Sequence, residues 1–163
     1  MLPVLIGSHP GSAWLAECLG SVKATTDRDV VVHALGGYEP AALSAGCGLF
    51  DRFVFLHDSV KILSSTFWDH VDAVKGGAWL AGWPPMFMGV HERSRLHEHL
   101  PTGRVSKAES IALEAELPEL VNYSTIWPNV TDRTALRLER KHDRNNLVLG
   151  VPEVWEKWKG TWV

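Results

Sequence analysis

Three consecutive residues, His57-Asp58-Ser59, carry the strongest chemical suggestion in the chain. They close the run Arg52-Phe53-Val54-Phe55-Leu56, whose apolar residues read as a strand buried on both faces. Such strands occur where helices cover a mostly parallel sheet. In open α/β sheets ligands lie in the crevice beyond the carboxyl ends of the strands, so these side chains stand where chemistry is usually done. A carboxylate at Asp58 can hold a divalent cation against a phosphate oxygen. Asp and Ser also favour turns, so the position has a structural reading beside the chemical one.

A second polar stretch, Gly7-Ser8-His9-Pro10-Gly11, follows the apolar run Leu2 to Ile6 and precedes the helical pattern of Trp14, Leu15, Cys18 and Leu19. This is a strand, loop and helix with the loop where a phosphate cradle would stand. Neither G-x-G-x-x-G nor G-x-x-x-x-G-K-[ST] is present, which argues against a dinucleotide Rossmann domain or a P-loop enzyme. There is no G-x-S-x-G elbow to supply a hydrolase nucleophile. His91, His97 and His99 lack zincin spacing and read as a polar surface segment. The basic group Arg137, Arg140, Lys141, His142 and Arg144 can neutralise a departing negative charge, or line the solvated face of a half-exposed strand.

The elements that position these residues alternate in type. After the first strand and helix, Asp29 to Leu35, with Val30-Val31-Val32, predicts a second buried strand, followed by a short helix from about Glu39 with Pro40 in its first turn. Phe53 to Leu56 is the third strand, and Phe67 to Val71 a third helix ahead of Gly76-Gly77. This order predicts a right-handed parallel sheet, an open α/β fold covered by helices. Beyond residue 77 the alternation stops. Met86 to Val90 is a further strand candidate, His91 to His99 a short polar helix, and Leu136 to Arg140 and Asn146 to Leu149 are late strands. Ser106-Lys107-Ala108-Glu109 is a capping box that opens a helix from about Lys107 to Leu117.

With 163 residues the expectation is one domain, residues 1–77 forming a βαβαβα half and 78–163 a second half with a helix and late strands. A hydrophobic content of 45% and a charged content of 21% argue against disorder, and a net charge of -3 argues against a nucleic-acid partner. Eight Trp supply amphipathic area for closing a small core or stacking on a ring. Cys18 and Cys47 lack metal or C-x-x-C spacing, and no apolar run reaches a membrane span or a signal-peptide core. A cytoplasmic protein with buried free thiols is expected.

The first half resembles the GT-A-fold, family-2-like nucleotide-sugar glycosyltransferases. The residues that carry the resemblance are Ser8-His9-Pro10, the helix Trp14-Leu15-Ala16-Glu17-Cys18-Leu19-Gly20-Ser21-Val22, and Phe53 to Val60 at the hydrophobic strand and D-x-D position. In its second half, Asn129 to Leu136 and Arg144 to Leu149, then Lys157-Trp158-Lys159-Gly160, resemble the tail of small bacterial and phage-encoded proteins of this kind. The D-x-D falls on His57-Asp58-Ser59, one carboxylate where the family commonly has two acids.

The resemblance implies a transferase that moves a sugar from a nucleoside-diphosphate donor to a glycan or protein acceptor, with Mn²⁺ or Mg²⁺ as metal. Asp58 would hold the metal, with His142 as a second ligand. Gly7, Ser8, His9, Pro10, His57, Ser59 and Arg144 would contact the nucleotide sugar. The base of an inverting reaction would be Glu109 or Glu114; if neither serves, a retaining mechanism or no catalysis is implied. The competing class is a non-catalytic nucleotide-sugar or glycan-binding module of the same fold. A receiver-like domain with Asp58 as phosphoacceptor lacks the later Lys and Thr signals. A homo-oligomer is compatible with the small size.

Overall fold

The computed structural model describes residues 1–34, 38–83, 87–131 and 147–159. Six strands form the main sheet. In chain order these are β1 (Val4–Ser8), β2 (Val30–Ala34), β3 (Arg52–His57), β5 (Ala78–Trp83), β6 (Gly89–Glu92) and β7 (Ser124–Thr131); β4 (Val60–Ile62) lies elsewhere. The spatial order is β2-β1-β3-β6-β5-β7. β1 pairs parallel with both β2 and β3, and β5 pairs parallel with β7, while β6 runs antiparallel between β3 and β5.

The parallel half follows from its sequence. Val4, Ile6, Val54 and Leu56 face one core cluster, and Leu5, Phe53 and Phe55 face the other, so each strand is buried on both sides. Helix α1 (Leu15–Thr25) places Cys18 and Val22 in the first cluster, and α2 (Tyr38–Leu49) places Ala42, Leu43 and Cys47 in the second. The two helices therefore cover opposite faces. Right-handed crossovers require this when the chain moves first to one side of β1 and then to the other. α3 (Thr66–Asp72) adds Phe67, Trp68 and Val71 to the first face.

The second half differs from the expected pattern. The Trp79-to-Trp83 segment forms β5, and the strand expected from Met86 begins at Gly89 and extends through His91, which lies inside β6. The expected polar helix shrinks to α4 (Arg93–Leu96) and a 3-10 turn at His97–His99. α5 begins at Lys107 as its capping box requires and runs on to Val121. A second, antiparallel sheet joins β4 to β9 (Trp155–Lys159) and β8 (Leu147–Val151), in the order β4-β9-β8. It sits on the α1 side, where Val60, Ile62 and Trp155 enter the first cluster. The expected strand at Leu136 to Arg140 lies outside the described residues. Among the described residues no helix is long and apolar enough to cross a membrane.

Candidate functional site at the carboxyl edge of the sheet

β1 is the strand at which the chain order reverses, with β2 on one side and β3 on the other. The crevice outside such a switch point is where open α/β sheets bind ligands. The polar residues that end β1 and β3 meet there. Ser8 Oγ donates to Asp58 Oδ2 at 3.0 Å, and the Asp58 amide donates to the Gly7 carbonyl at 3.0 Å. Fifty residues of chain separate this serine from its acceptor, and the parallel register of β1 and β3 closes that gap.

A fourth strand enters from the small sheet. The Trp158 amide donates to the Ser59 carbonyl at 2.9 Å, and Lys157 Nζ donates to Ser59 Oγ at 3.0 Å. Lys157 is 3% exposed, Asp58 3% and Ser59 7%. Trp14, at the start of α1, stacks on Trp158 with centroids 5.6 Å apart. Charges and hydroxyls from β1, β3 and β9 are thus gathered under cover at one strand end, where burial strengthens each interaction.

The start of α2 supplies the outer wall. Tyr38 has φ of 58°, a left-handed conformation that a bulky side chain adopts only under constraint from its surroundings. Its ring meets His9 edge-on at 6.3 Å. The next residue, Glu39, has its carboxylate 3.8 Å from His57 Nε2 and accepts from Ser110 Oγ on α5 at 3.5 Å. Glu39 therefore ties the β3 edge to α5.

These positions sort the residues expected to act. Ser8, His9, His57, Asp58 and Ser59 gather at the strand ends, with Gly7 in register beside them and Pro10 exposed on the loop. Asp58 is covered, and its Oδ2 is engaged by Ser8. Gly11 follows with φ of 75° and open space around it, so the loop has room to yield. Glu109 is exposed, and its Oε2 accepts from the Ser106 amide at 2.6 Å while Ser106 Oγ accepts from its own amide. Those bonds hold its carboxyl below the usual carboxylate range, the wrong direction for a general base. Glu114 is half-buried, one turn beyond Ser110 on the face of α5 that reaches Glu39. His142 and Arg144 lie outside the described residues.

Sequence reasoning passed over Glu39, Tyr38 and Lys157. The signal for the first two was their place after a predicted strand, the same edge that drew attention to Asp58. Lys157 had none, since only the pairing of β4 with β9 brings it in.

The donor set was tested against the divalent cation that the resemblance implies. Mg²⁺ and Mn²⁺ take about six oxygen or nitrogen ligands and usually rest on one or two carboxylates. Among the described residues no three His, Cys, Asp or Glu side chains converge as a metal group. Asp58 already accepts from Ser8, and the neighbouring Ser59 already accepts from an ammonium. This part of the site does not fit a dication.

No family model, curated protein or solved structure matches the chain. The functional reading therefore rests on the sequence resemblance and on the geometry of this edge.

Proposed function

We propose that the chain binds a nucleoside-diphosphate sugar in the crevice above β1, β2 and β3 and acts as a glycosyltransferase-like protein of GT-A type. The observation that carries this is the meeting of Ser8 and Asp58 at the switch point, 3.0 Å apart, from the two loops that a ligand there must contact. His9 and Tyr38 offer ring edges beside those loops, suited to a planar base. The Glu39 and His57 pair is the acid–base couple at this edge, able to take a proton from an acceptor hydroxyl entering along α5. The diphosphate leaves toward the buried hydroxyl and ammonium of Ser59 and Lys157.

A second reading is a module that holds the nucleotide sugar without transferring it. The burial of Asp58 and the engagement of Glu109 in its capping box favour this reading. One experiment addresses both. UDP, GDP and their hexose conjugates are titrated calorimetrically into the protein and into Asp58→Ala, and free sugar is followed by NMR. Binding that Asp58→Ala loses supports the site, and slow donor hydrolysis assigns transfer over holding. A protein that binds none of these nucleotides at millimolar concentration removes both readings.

A further inference from the structure

We infer that the chain associates with a second copy of itself through β2, edge against edge, in an antiparallel pair about a two-fold axis at Val32. The two ends of the main sheet differ. β7, at one end, carries Pro128, which has no N–H to offer a further strand. β2, at the other, is Val30-Val31-Val32-His33-Ala34, without the lysine, proline or bulge that usually blunts an edge. Val32 is 41% exposed and Ala34 is exposed, whereas every residue of the adjoining β1 is buried.

The Val4 amide donates to the Asp29 carbonyl at 2.8 Å, which sets the alternation of the parallel ladder. Asp29, Val31 and His33 turn their main-chain groups toward β1, and Val30, Val32 and Ala34 turn theirs outward. A row of such outward groups is a template for another strand. A second β2 running the opposite way and centred on Val32 meets all of them. Val32 then lies opposite the partner's Val32 and Val30 opposite the partner's Ala34, each pair exchanging N–H and C=O. Moving the axis by one residue leaves Val30 or Ala34 beyond the end of the partner strand. The same register sets Asp29 diagonally across from the partner's His33, an acid near an imidazole, and the two-fold repeats that contact. On the face that α2 covers, its outer residues Ala41, Ser44, Ala45 and Gly48 bring no charge to the approach, so like charges do not meet. The edge is thus complementary to itself. With β7 blunted at the far end of each sheet, the assembly closes at two copies.

The test is sedimentation velocity of the full chain from about 1 to about 100 μM, the range in which a small interface dissociates. The mass should rise from one chain to two. Val32→Lys sets two ammonium groups against each other on the axis and should weaken association about tenfold or more. Unfolding of the dilute variant should change little, because residue 32 is exposed in the single chain. Val32→Cys should form an intermolecular disulfide with oxidised glutathione, since directly opposite residues of such a pair have Cα atoms about 5.5 Å apart. Val30→Cys should not, because the partner's Ala34 stands opposite it. Cys18 and Cys47 are buried and do not compete. If Val32→Lys does not fold, the two cysteine variants still decide. A chain that keeps the mass of one copy at every concentration overturns the inference, whether β2 then stays bare or takes a strand from another protein. So does association that Val32→Lys leaves unchanged, cross-linking of Val30→Cys in the same yield as Val32→Cys, or growth beyond two copies. Asp58→Ala should associate as wild type does, so this contact and the nucleotide-sugar reading fail separately.

Discussion

The middle of the main sheet and its carboxyl edge both bury polar groups, and they do so to opposite ends. In the middle, His91 on β6 is wholly buried, with the rings of Phe53, Phe55, Trp79 and Tyr123 around it. One nitrogen meets the Phe87 carbonyl at 2.5 Å and the other has no hydrogen-bond partner among the described residues. Burial pushes its pKa down to about 4, so it stays neutral and serves packing. At the edge, Ser8, Asp58, Ser59 and Lys157 are nearly as buried, but they come from three segments, with Ser8 bonded to Asp58 and Lys157 to Ser59. Burial alone does not mark a site. The edge adds the convergence of polar and charged groups from distant segments.

The sharpest way to break this contrast is to disturb the middle. Gly89 has φ of 149°, and a Cβ added there would lie 2.0 Å from the Ala78 carbonyl oxygen. No rotamer relieves a clash with backbone. Gly89→Ala should therefore cost at least about 4 kcal/mol or abolish cooperative unfolding, as severe backbone conflicts do. Denaturant unfolding measures it. A variant within about 1 kcal/mol of wild type would show that β5 and β6 do not pair closely at this glycine, and the rigid middle would lose its basis.

The two regions were not equally readable from sequence. The parallel half was legible because Val30-Val31-Val32 and Phe53-Val54-Phe55-Leu56 are uninterrupted apolar runs bounded by turn residues, a pattern with one economical packing. Its edge was legible for the same reason, since the end of a buried run is where polar residues must begin. β5 was missed because Ala78-Trp79-Leu80-Ala81-Gly82-Trp83 lacks β-branched residues, and β7 because it contains Pro128, which only an edge strand accommodates. Sequence gave no sign that an antiparallel strand would lie between β3 and β5, because pairing partners depend on distant segments. The same limit hid Lys157, which joins the edge through a contact 98 residues away. The capping box at Ser106 fixed where α5 begins, whereas its end passed Pro118 to Asn122, whose φ of 51° makes the left-handed cap.

A gentler probe of the middle is pH. The ring of His91 has its pKa near 4 in the fold against 6.5 when exposed, so the unfolded chain binds the proton more tightly. Its contribution is fully present above about pH 6.5 and is lost as pH falls toward 4, at about 1.4 kcal/mol per unit, about 3 kcal/mol in all. His91→Gln cannot titrate yet can still donate to the Phe87 carbonyl. Unfolding free energies of the two proteins from pH 7 to pH 4 should converge as the pH drops. Parallel profiles would mean that His91 takes up a proton in the fold as readily as in the unfolded chain, and the neutral core half of the comparison would be lost.

The smallest expected effect tests the edge by what should not matter. Glu109 is exposed and engaged with Ser106, whereas Glu39 stands beside His57 at the strand ends. Glutamine completes a capping box as glutamate does, so Glu109→Gln should leave both unfolding and any donor hydrolysis near wild type. Ser106→Ala, which removes the acceptor for the Glu109 amide, should cost about 1 kcal/mol of stability with nucleotide affinity unchanged. Glu39→Gln keeps the shape of its side chain and removes its charge, so hydrolysis should fall with little change in unfolding. These three variants assign a stabilising role to the start of α5 and a chemical one to the start of α2. A loss of hydrolysis in Glu109→Gln with Glu39→Gln fully active would reverse that assignment, because the working carboxylate would then sit on a solvated helix turn and not at the switch point where strands of opposite succession part.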